Sequence, residues 1–406
     1  MLRKITIDDL RVGMYVEKVD RGWLEVPFFR KQITSRDQIE KLRKYFVREL
    51  HIDTARGADV DSRVAVAVAT PEPGSPPALE PPKPKMRSAY NAEFREELPA
   101  AKQAYKVAVT AMHDIFADVR AGRQLHEEQT REVVEDLVDS CMRNDDALAS
   151  LTKLMNFDEY TFSHSVNVTV FALTLGKALG LDRDELQRFG ESVLLHDVGK
   201  MLVPPEILNK PGKLTAAEFE IMKTHTTRGV EFLQESFPHR SDIPIVAHEH
   251  HERCNGSGYP RGLRGEEITQ WGRITAVADV YDALTSKRCY KEEQLPYRAM
   301  ALIYSLRGKD FEPLFVDRFI ECVGVYPMGS LVRLTTGEVG LVVSIRHDDL
   351  IHPHVLALYR HGVRMKAPKL MDLAQRDESG KFLREVDEVL SPDAFGVNPA
   401  AHILEV

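Results

Sequence analysis

His196 and Asp197 stand side by side after the apolar pair Leu194-Leu195 and just before Val198-Gly199-Lys200. A neutral imidazole beside a carboxylate suits a hard or borderline divalent metal. Adjacent helical residues point about 100° apart, so both reach one place only if it lies between their directions. A pair of metals about 3.5–4 Å apart is wide enough for that. Lys200 shares their face if the helical turn continues past them. A helix end with one solvated acid and one packed histidine fits the same letters. With His164, His225, His250, His251 and Asp279, the chain offers seven good metal ligands on five separate segments. Each segment taken alone equally fits a buried structural histidine or an ion-paired acid. Asp279 and Asp282 lie one helical turn apart, so one could bind metal while the other holds a ligand histidine in place. His248-Glu249-His250-His251-Glu252 is not an H-E-x-x-H helix, and His248 with Glu252 reads as a solvated i,i+4 pair.

Helices must present these groups. The segment Thr161 to Leu179 is a candidate buried helix with His164 near its start. Asp182 to Val198 reads as the next helix, ending at the His-Asp pair. Thr215 with Glu218 three residues on is a capping box for the helix that carries His225. Ile243 to Glu252 and Arg273 to Thr285 complete the set. Asn255-Gly256-Ser257-Gly258-Tyr259-Pro260-Arg261-Gly262 is too rich in Gly and Pro to be helical and is a shaped loop.

The flanks differ in pattern. Residues 1–69 read as a small α+β regulatory module, with Trp23, Phe28 and Phe29 as core candidates and a helix from Arg36 to Val47. Residues 70–87 form a Pro-rich extended linker. Residues 88–144 are connecting helices with two apolar stripes, one from Tyr105 to Val119 and one from Val133 to Met142. These stripes suit a core, a link to the module or a homodimer contact. Residues 145–326 read as one helical domain with short Gly/Pro breaks. After Pro327 the period changes to two, and 327–406 read as a β-rich appendage with a loose tail. The fold class is therefore mainly α, with a small α+β module before it and a small β-rich appendage after it.

The chain has 406 residues, 43% of them apolar and 29% charged, as in ordinary globular protein. A formal charge of −8 argues against a large surface for nucleic-acid polymers. Cys141, Cys254, Cys289 and Cys322 form no C-x-x-C pair, which fits a reducing compartment. The start MLRKITIDDL lacks an apolar signal region, and no apolar run approaches the roughly 20 residues of a membrane span. A cytoplasmic protein is the expectation.

From His164 to about Lys291 the chain resembles the HD-GYP hydrolases, a branch of the HD metal-dependent phosphohydrolases. The resemblance rests on ordered blocks. These are His196-Asp197-Val198-Gly199-Lys200, Ile207 to Leu214, Met222 to His225, His250 through Pro260, and Arg273-Ile274 leading to Asp279-Val280-Tyr281-Asp282-Ala283-Leu284-Thr285. The stretch beginning MLRKITIDDLRVGMYV is similar to an uncharacterised domain often joined to such hydrolases. The C-terminal hairpin is similar to a common tail of that group.

The resemblance implies an all-helical HD-type fold and hydrolysis of cyclic di-GMP, with iron or manganese as the metals. It implies His164, His196, Asp197, His225, His250, His251 and Asp279 as ligands of two ions, with Asp197 as the bridge. Lys200 would contact a scissile-phosphate oxygen or a metal-bound water. Arg288 and Lys291 would hold phosphate, and Tyr259 would shape the substrate side. Some relatives carry a Glu for a third metal at the position of Tyr160, which implies a two-metal site here and pGpG as main product. Diguanylate-cyclase domains are possible partners through the Gly-Tyr-Pro loop. A phosphohydrolase for another cyclic dinucleotide, and a regulatory protein that binds without rapid turnover, are the competing readings.

Overall fold

The computed structural model describes residues 2–19, 33, 36, 39, 49–58, 92–155, 160–286 and 294–403. The chain divides into two compact units, Met1–Lys83 and Pro84–Val406. The first holds β1 (Leu2–Thr6), β2 (Val16–Val19) and β3 (Glu49–Asp53), an antiparallel sheet in the order β1-β3-β2. Ile5 lies opposite Leu50, and both are buried with Met14, Val16, Ile33 and Ile52. Trp23, Phe28, Phe29, nearly all of the expected helix from Arg36 to Val47 and the linker 70–87 lie outside the described residues.

The second unit begins with two long helices, α1 (Ala92–Arg120) and α2 (Glu127–Leu154), packed along each other. Their stripes bury Tyr105, Met112, Ile115 and Phe116 from one helix and Val134, Leu137, Val138 and Cys141 from the other. Met142, expected on the stripe, is exposed instead. Both stripes contribute to the core shared with the site helices. Asn144 breaks α2 with a non-helical backbone, and its Oδ1 caps the next stretch by accepting from Ala147 N at 3.0 Å.

Helix α3 (Tyr160–Ala178) is apolar on nearly every side, as a helix enclosed by others must be. It packs against α1, α2, α4 (Arg183–Leu194) and the later helix α9 (Gln270–Thr285). Asp182 starts α4 with a capping box to Glu185, worth about 1 kcal/mol. The helix stops at Leu194. It does not run on to Val198 as the apolar spacing suggested. Residues 195–197 leave the helical path, and Val198–Leu202 form a tight 3₁₀ segment. Short α5 (Pro205–Leu208) leads to α6 (Ala216–Lys223), which has the expected Thr215–Glu218 box. A break at Thr224 separates α6 from α7 (His225–Ser236), so His225 begins its own helix. The order closes with α8 (Pro244–Glu249), α9 (Gln270–Thr285), α10 (Pro296–Ser305) and α11 (Pro313–Val323).

Beyond them β4 (Leu331–Leu334), β5 (Glu338–Ser344), β6 (His354–Arg360), β7 (Val363–Asp372) and β8 (Val386–Leu390) form one antiparallel sheet. Its order is β7-β6-β5-β4-β8. Leu331, Val339 and Leu341 join the helical core, and α12 (Pro399–Ile403) ends the described chain. Among the described residues, no helix is long and apolar enough to cross a membrane.

Candidate metal centre

Five helical segments converge on Asp197, which is about 1% exposed. Its two carboxylate oxygens face different partners. Oδ2 lies 3.5 Å from His164 Nε2, 3.3 Å from His196 Nε2 and 2.5 Å from Lys200 Nζ. Oδ1 lies 3.5 Å from His225 Nε2 and 3.6 Å from His250 Nε2. Asp279 closes the far side, with Oδ1 3.2 Å from His164 Nε2 and Oδ2 3.8 Å from His251 Nδ1. Three groups of these residues have ligand atoms close enough to share an ion: His164, His196 and Asp279; His196, Asp197 and His250; and His225, His250 and His251.

Backbone carbonyls set the direction of the imidazoles. Nδ1 of His196 donates to Val193 O at 2.8 Å, that of His225 to Met222 O at 2.7 Å, and that of His250 to Val246 O at 2.9 Å. A carbonyl can only accept, so each Nδ1 carries the proton and each Nε2 points inward. Burial drives the His225 pKa down to about 4 and that of His250 to about 3, so both rings are neutral near pH 7. Their Nε2 atoms then offer lone pairs to each other across 3.4 Å. Two lone pairs at that distance repel unless a cation lies between them. His196 Nε2 and Asp197 Oδ1 are likewise buried without a hydrogen-bond partner among the described residues. This donor set fits divalent metal and has no other evident use.

The carboxylates are ready for that charge. Burial alone would raise Asp197, but the Lys200 ammonium and the neighbouring imidazoles outweigh it and hold the carboxyl well below its usual range. Asp279 is lowered in the same way against its burial, by the close His164 and His251 imidazoles. Asp282 does not face the centre. Its Oδ2 accepts from His164 Nδ1 at 2.7 Å, and its Oδ1 from Asn167 Nδ2 at 2.9 Å. Asn167 in turn accepts from the Tyr105 hydroxyl of α1 at 2.5 Å. Of the two acids one turn apart, Asp279 lines the site and Asp282 aims a histidine into it.

The loop after α8 folds back over this centre. Tyr259 N donates to His251 O at 3.2 Å, and the two rings lie 4.6 Å apart, inclined by 32°. A Cβ on Gly258 would come within 2.5 Å of His251 O, so only glycine allows this return. Glu252 is buried, contrary to the solvated pair expected with His248. Its carboxylate accepts from Arg261 N at 2.7 Å and Leu263 N at 3.0 Å. Glu249 is buried as well and holds Thr269 N and the Arg261 guanidinium. No spacing rule signals the Glu252 clamp, because its partners are loop backbone groups, and the Glu249–Arg261 pair is twelve residues apart, beyond any helical spacing.

The expected ligands His164, His196, Asp197, His225, His250, His251 and Asp279 thus lie together, with Lys200 and Tyr259 beside them. Arg288 and Lys291 lie outside the described residues, as do Asp158, Glu159 and the side chain of Tyr160.

The chain is similar to known proteins. Residues 132–313 match the HD domain family, and residues 2–130 match a domain of unknown function (DUF3391). A cyclic di-GMP phosphodiesterase of Pseudomonas aeruginosa is 35% identical over 94% of this chain and 92% of its own length. The chain belongs to the HD-GYP family. HD-GYP membership implies divalent metal binding, which the histidine and aspartate clusters above accommodate. Two other relatives match a smaller share. A 3'3'-cGAMP-specific phosphodiesterase of Vibrio cholerae is 40% identical over 40% of this chain and 31% of its own length. A cyclic di-GMP phosphodiesterase of Thermotoga maritima is 38% identical over 44% of this chain and 50% of its own length.

Proposed function

We propose that this chain is a metal-dependent phosphodiesterase that hydrolyses cyclic di-GMP in bacterial second-messenger signalling. The observation that carries the reading is the divided carboxylate of Asp197, whose two oxygens face two separate groups of inward-pointing imidazoles. That division supports a pair of ions with Asp197 between them. His164, His196, His225, His250, His251 and Asp279 would complete the ligand set, with iron or manganese as the metals.

Such a pair supplies charge neutralisation and an activated water for attack on a phosphodiester. The chain's own groups do the rest. The Nδ1–carbonyl bonds of His196, His225 and His250, and the Nδ1–Asp282 bond of His164, hold these four Nε2 atoms in one direction without further reorganisation. Lys200, a quarter exposed and bonded to Asp197, is the cation within reach of a phosphate oxygen beside the centre. Tyr259 forms the wall above His251. Arg288 and Lys291 remain proposed phosphate contacts on the strength of the resemblance alone.

Tyr160 in place of the third-metal Glu favours two ions and pGpG as the main product. Three ions per chain with comparable cleavage of pGpG would overturn that extension. Work in the cytoplasm, a diguanylate-cyclase partner at the Gly-Tyr-Pro loop and assembly as a homodimer belong to the same proposal. The Vibrio cholerae relatives named for 3'3'-cGAMP favour one second reading, another cyclic dinucleotide as substrate. Turnover of a cyclic dinucleotide panel separates the two.

The deciding experiment is anaerobic purification, metal analysis and product identification with cyclic di-GMP. Asp197→Ala is expected to lower hydrolysis by a factor of about 10³ or more with the fold retained. Undiminished activity in that variant sinks the reading.

A further inference from the structure

Helix α6 has no buried residue, although Phe219, Ile221 and Met222 lie on it. A helix in water is ordinarily held by an apolar face pressed on a core. This one is fastened by polar contacts: the Thr215–Glu218 box, and Lys210 Nζ 2.6 and 2.8 Å from the Glu218 carboxylate. Phe219 therefore stands 45% exposed without a packing reason.

Its position is specific. The Phe219 ring lies 6.2 Å from that of Tyr259 at 81°, and Tyr259 covers His251 at 4.6 Å. His251 is 19% exposed, whereas His164, His196, His225 and His250 are 2% or less. The centre thus opens on the His251 side, under Tyr259, and Phe219 is the next ring outward. Lys223 Nζ sits 5.6 Å from the Phe219 ring, 5.7 Å from the Tyr259 ring and 2.8 Å from the Glu220 carboxylate, which adds an ion-paired ammonium to an aromatic rim. An exposed aromatic face, a second ring and an ammonium beside a metal centre match a ligand with flat bases and anionic phosphates. They match a solvated surface or a purely apolar partner less well.

We propose that Phe219 is a specificity-determining residue, the platform on which one purine base of the cyclic dinucleotide stacks while its phosphodiester lies at the centre. Lys223 sets the charge of that rim. The inference rests on the phosphodiester reading above, since it needs a nucleotide at this site. A base stacked equally in the bound substrate and at the barrier raises KM when the platform is removed and leaves kcat in place.

The test uses the metal-loaded full chain with cyclic di-GMP. Phe219→Ala and Phe219→Leu are expected to raise KM about tenfold with kcat little changed, and Phe219→Trp to keep KM near wild type. Leucine preserves bulk without a flat face, so its failure separates stacking from simple filling. An unchanged KM in the Ala and Leu variants overturns the platform, and leaves α6 as a surface for a protein partner. A loss confined to kcat overturns it too. If the wild type binds cyclic di-GMP without cleaving it, equilibrium dialysis of the same variants decides the platform by itself. If the wild type does not bind it, both readings fall.

Discussion

His164 Nδ1 lies 2.7 Å from Asp282 Oδ2, and neither residue is more than 2% exposed. The bond fixes which ring nitrogen faces Asp197 and Asp279. Asp282 is itself held by Asn167, and Asn167 by the Tyr105 hydroxyl. A candidate metal ligand on α3 is therefore aimed by a chain of buried polar groups that ends on α1.

Removing the charge from that chain should loosen the metal. Asp282→Asn keeps the volume and one acceptor but loses the carboxylate that steadies the imidazole. Metal affinity is expected to fall about 10–100-fold. Tyr105→Phe, two bonds further out, should have a smaller effect in the same direction. Chelator competition on the purified variants reads both. Equal metal retention in Asp282→Asn would show that His164 needs no such support.

Acid should destabilise the metal-free protein. Burial holds His225 near 4 and His250 near 3, whereas both titrate near 6.5 once unfolded. Between those values the unfolded chain binds protons that the folded chain refuses. Stability is therefore intact above about pH 6.5 and falls with pH through that window, by on the order of 1.4 kcal/mol per pH unit for each group. Asp197, Asp279 and Asp282 are held low as well, so their contribution is present above the usual carboxylate range and lost below it. The signs agree. Thermal unfolding of chelator-stripped protein should show a Tm that drops by at least about 5 °C between pH 7.5 and pH 5. A flat or rising Tm contradicts the buried neutral imidazoles.

The gathering of the seven candidate ligands at one centre was legible in the sequence because each is a rare residue type within an ordered block. The helices were legible from their apolar spacing. Spacing did not reveal the stop at Leu194, since Leu195 and Val198 continue the apolar period while the backbone has already turned. That turn lets His196 and Asp197, neighbours in sequence, face one centre. The break at Thr224 escaped for a similar reason, as the apolar pattern runs through it. Glu252 was misread because a carboxylate in a charged stretch looks solvated, and its partners are backbone N–H groups that no side-chain pattern announces.

Glu252 supplies a separate prediction. Its two oxygens accept from Arg261 N and Leu263 N, just past Tyr259-Pro260. Glu252→Ala leaves two part-buried loop donors without this acceptor, at about 1–3 kcal/mol each at most. The expected outcome is a loss of roughly 3 kcal/mol in denaturant unfolding and slower turnover with metal content near normal. Glu252→Gln, which keeps one acceptor, should fall between. Wild-type stability in the Ala variant would place the loop's support elsewhere.

Gly199, between the His196-Asp197 pair and Lys200, offers the sharpest contrast. A Cβ there would lie 1.9 Å from His225 O and 2.7 Å from Gly229 N. These are backbone atoms of α7 and cannot swing aside, so the 3₁₀ segment or α7 must shift. Such a shift separates Asp197 from His225. A Cβ on Gly229 meets nothing nearer than 3.4 Å, at Gly199 N. Gly199→Ala is therefore expected to destabilise by several kcal/mol, on the order of other severe overpacking changes, and to lose metal. Gly229→Ala, which sits within a helix, should cost little or gain slightly from helix propensity. Soluble yield, Tm and bound metal per chain measured side by side check the pair. Equal behaviour of the two variants would mean that the close approach of the 3₁₀ segment to α7 does not set the position of Asp197.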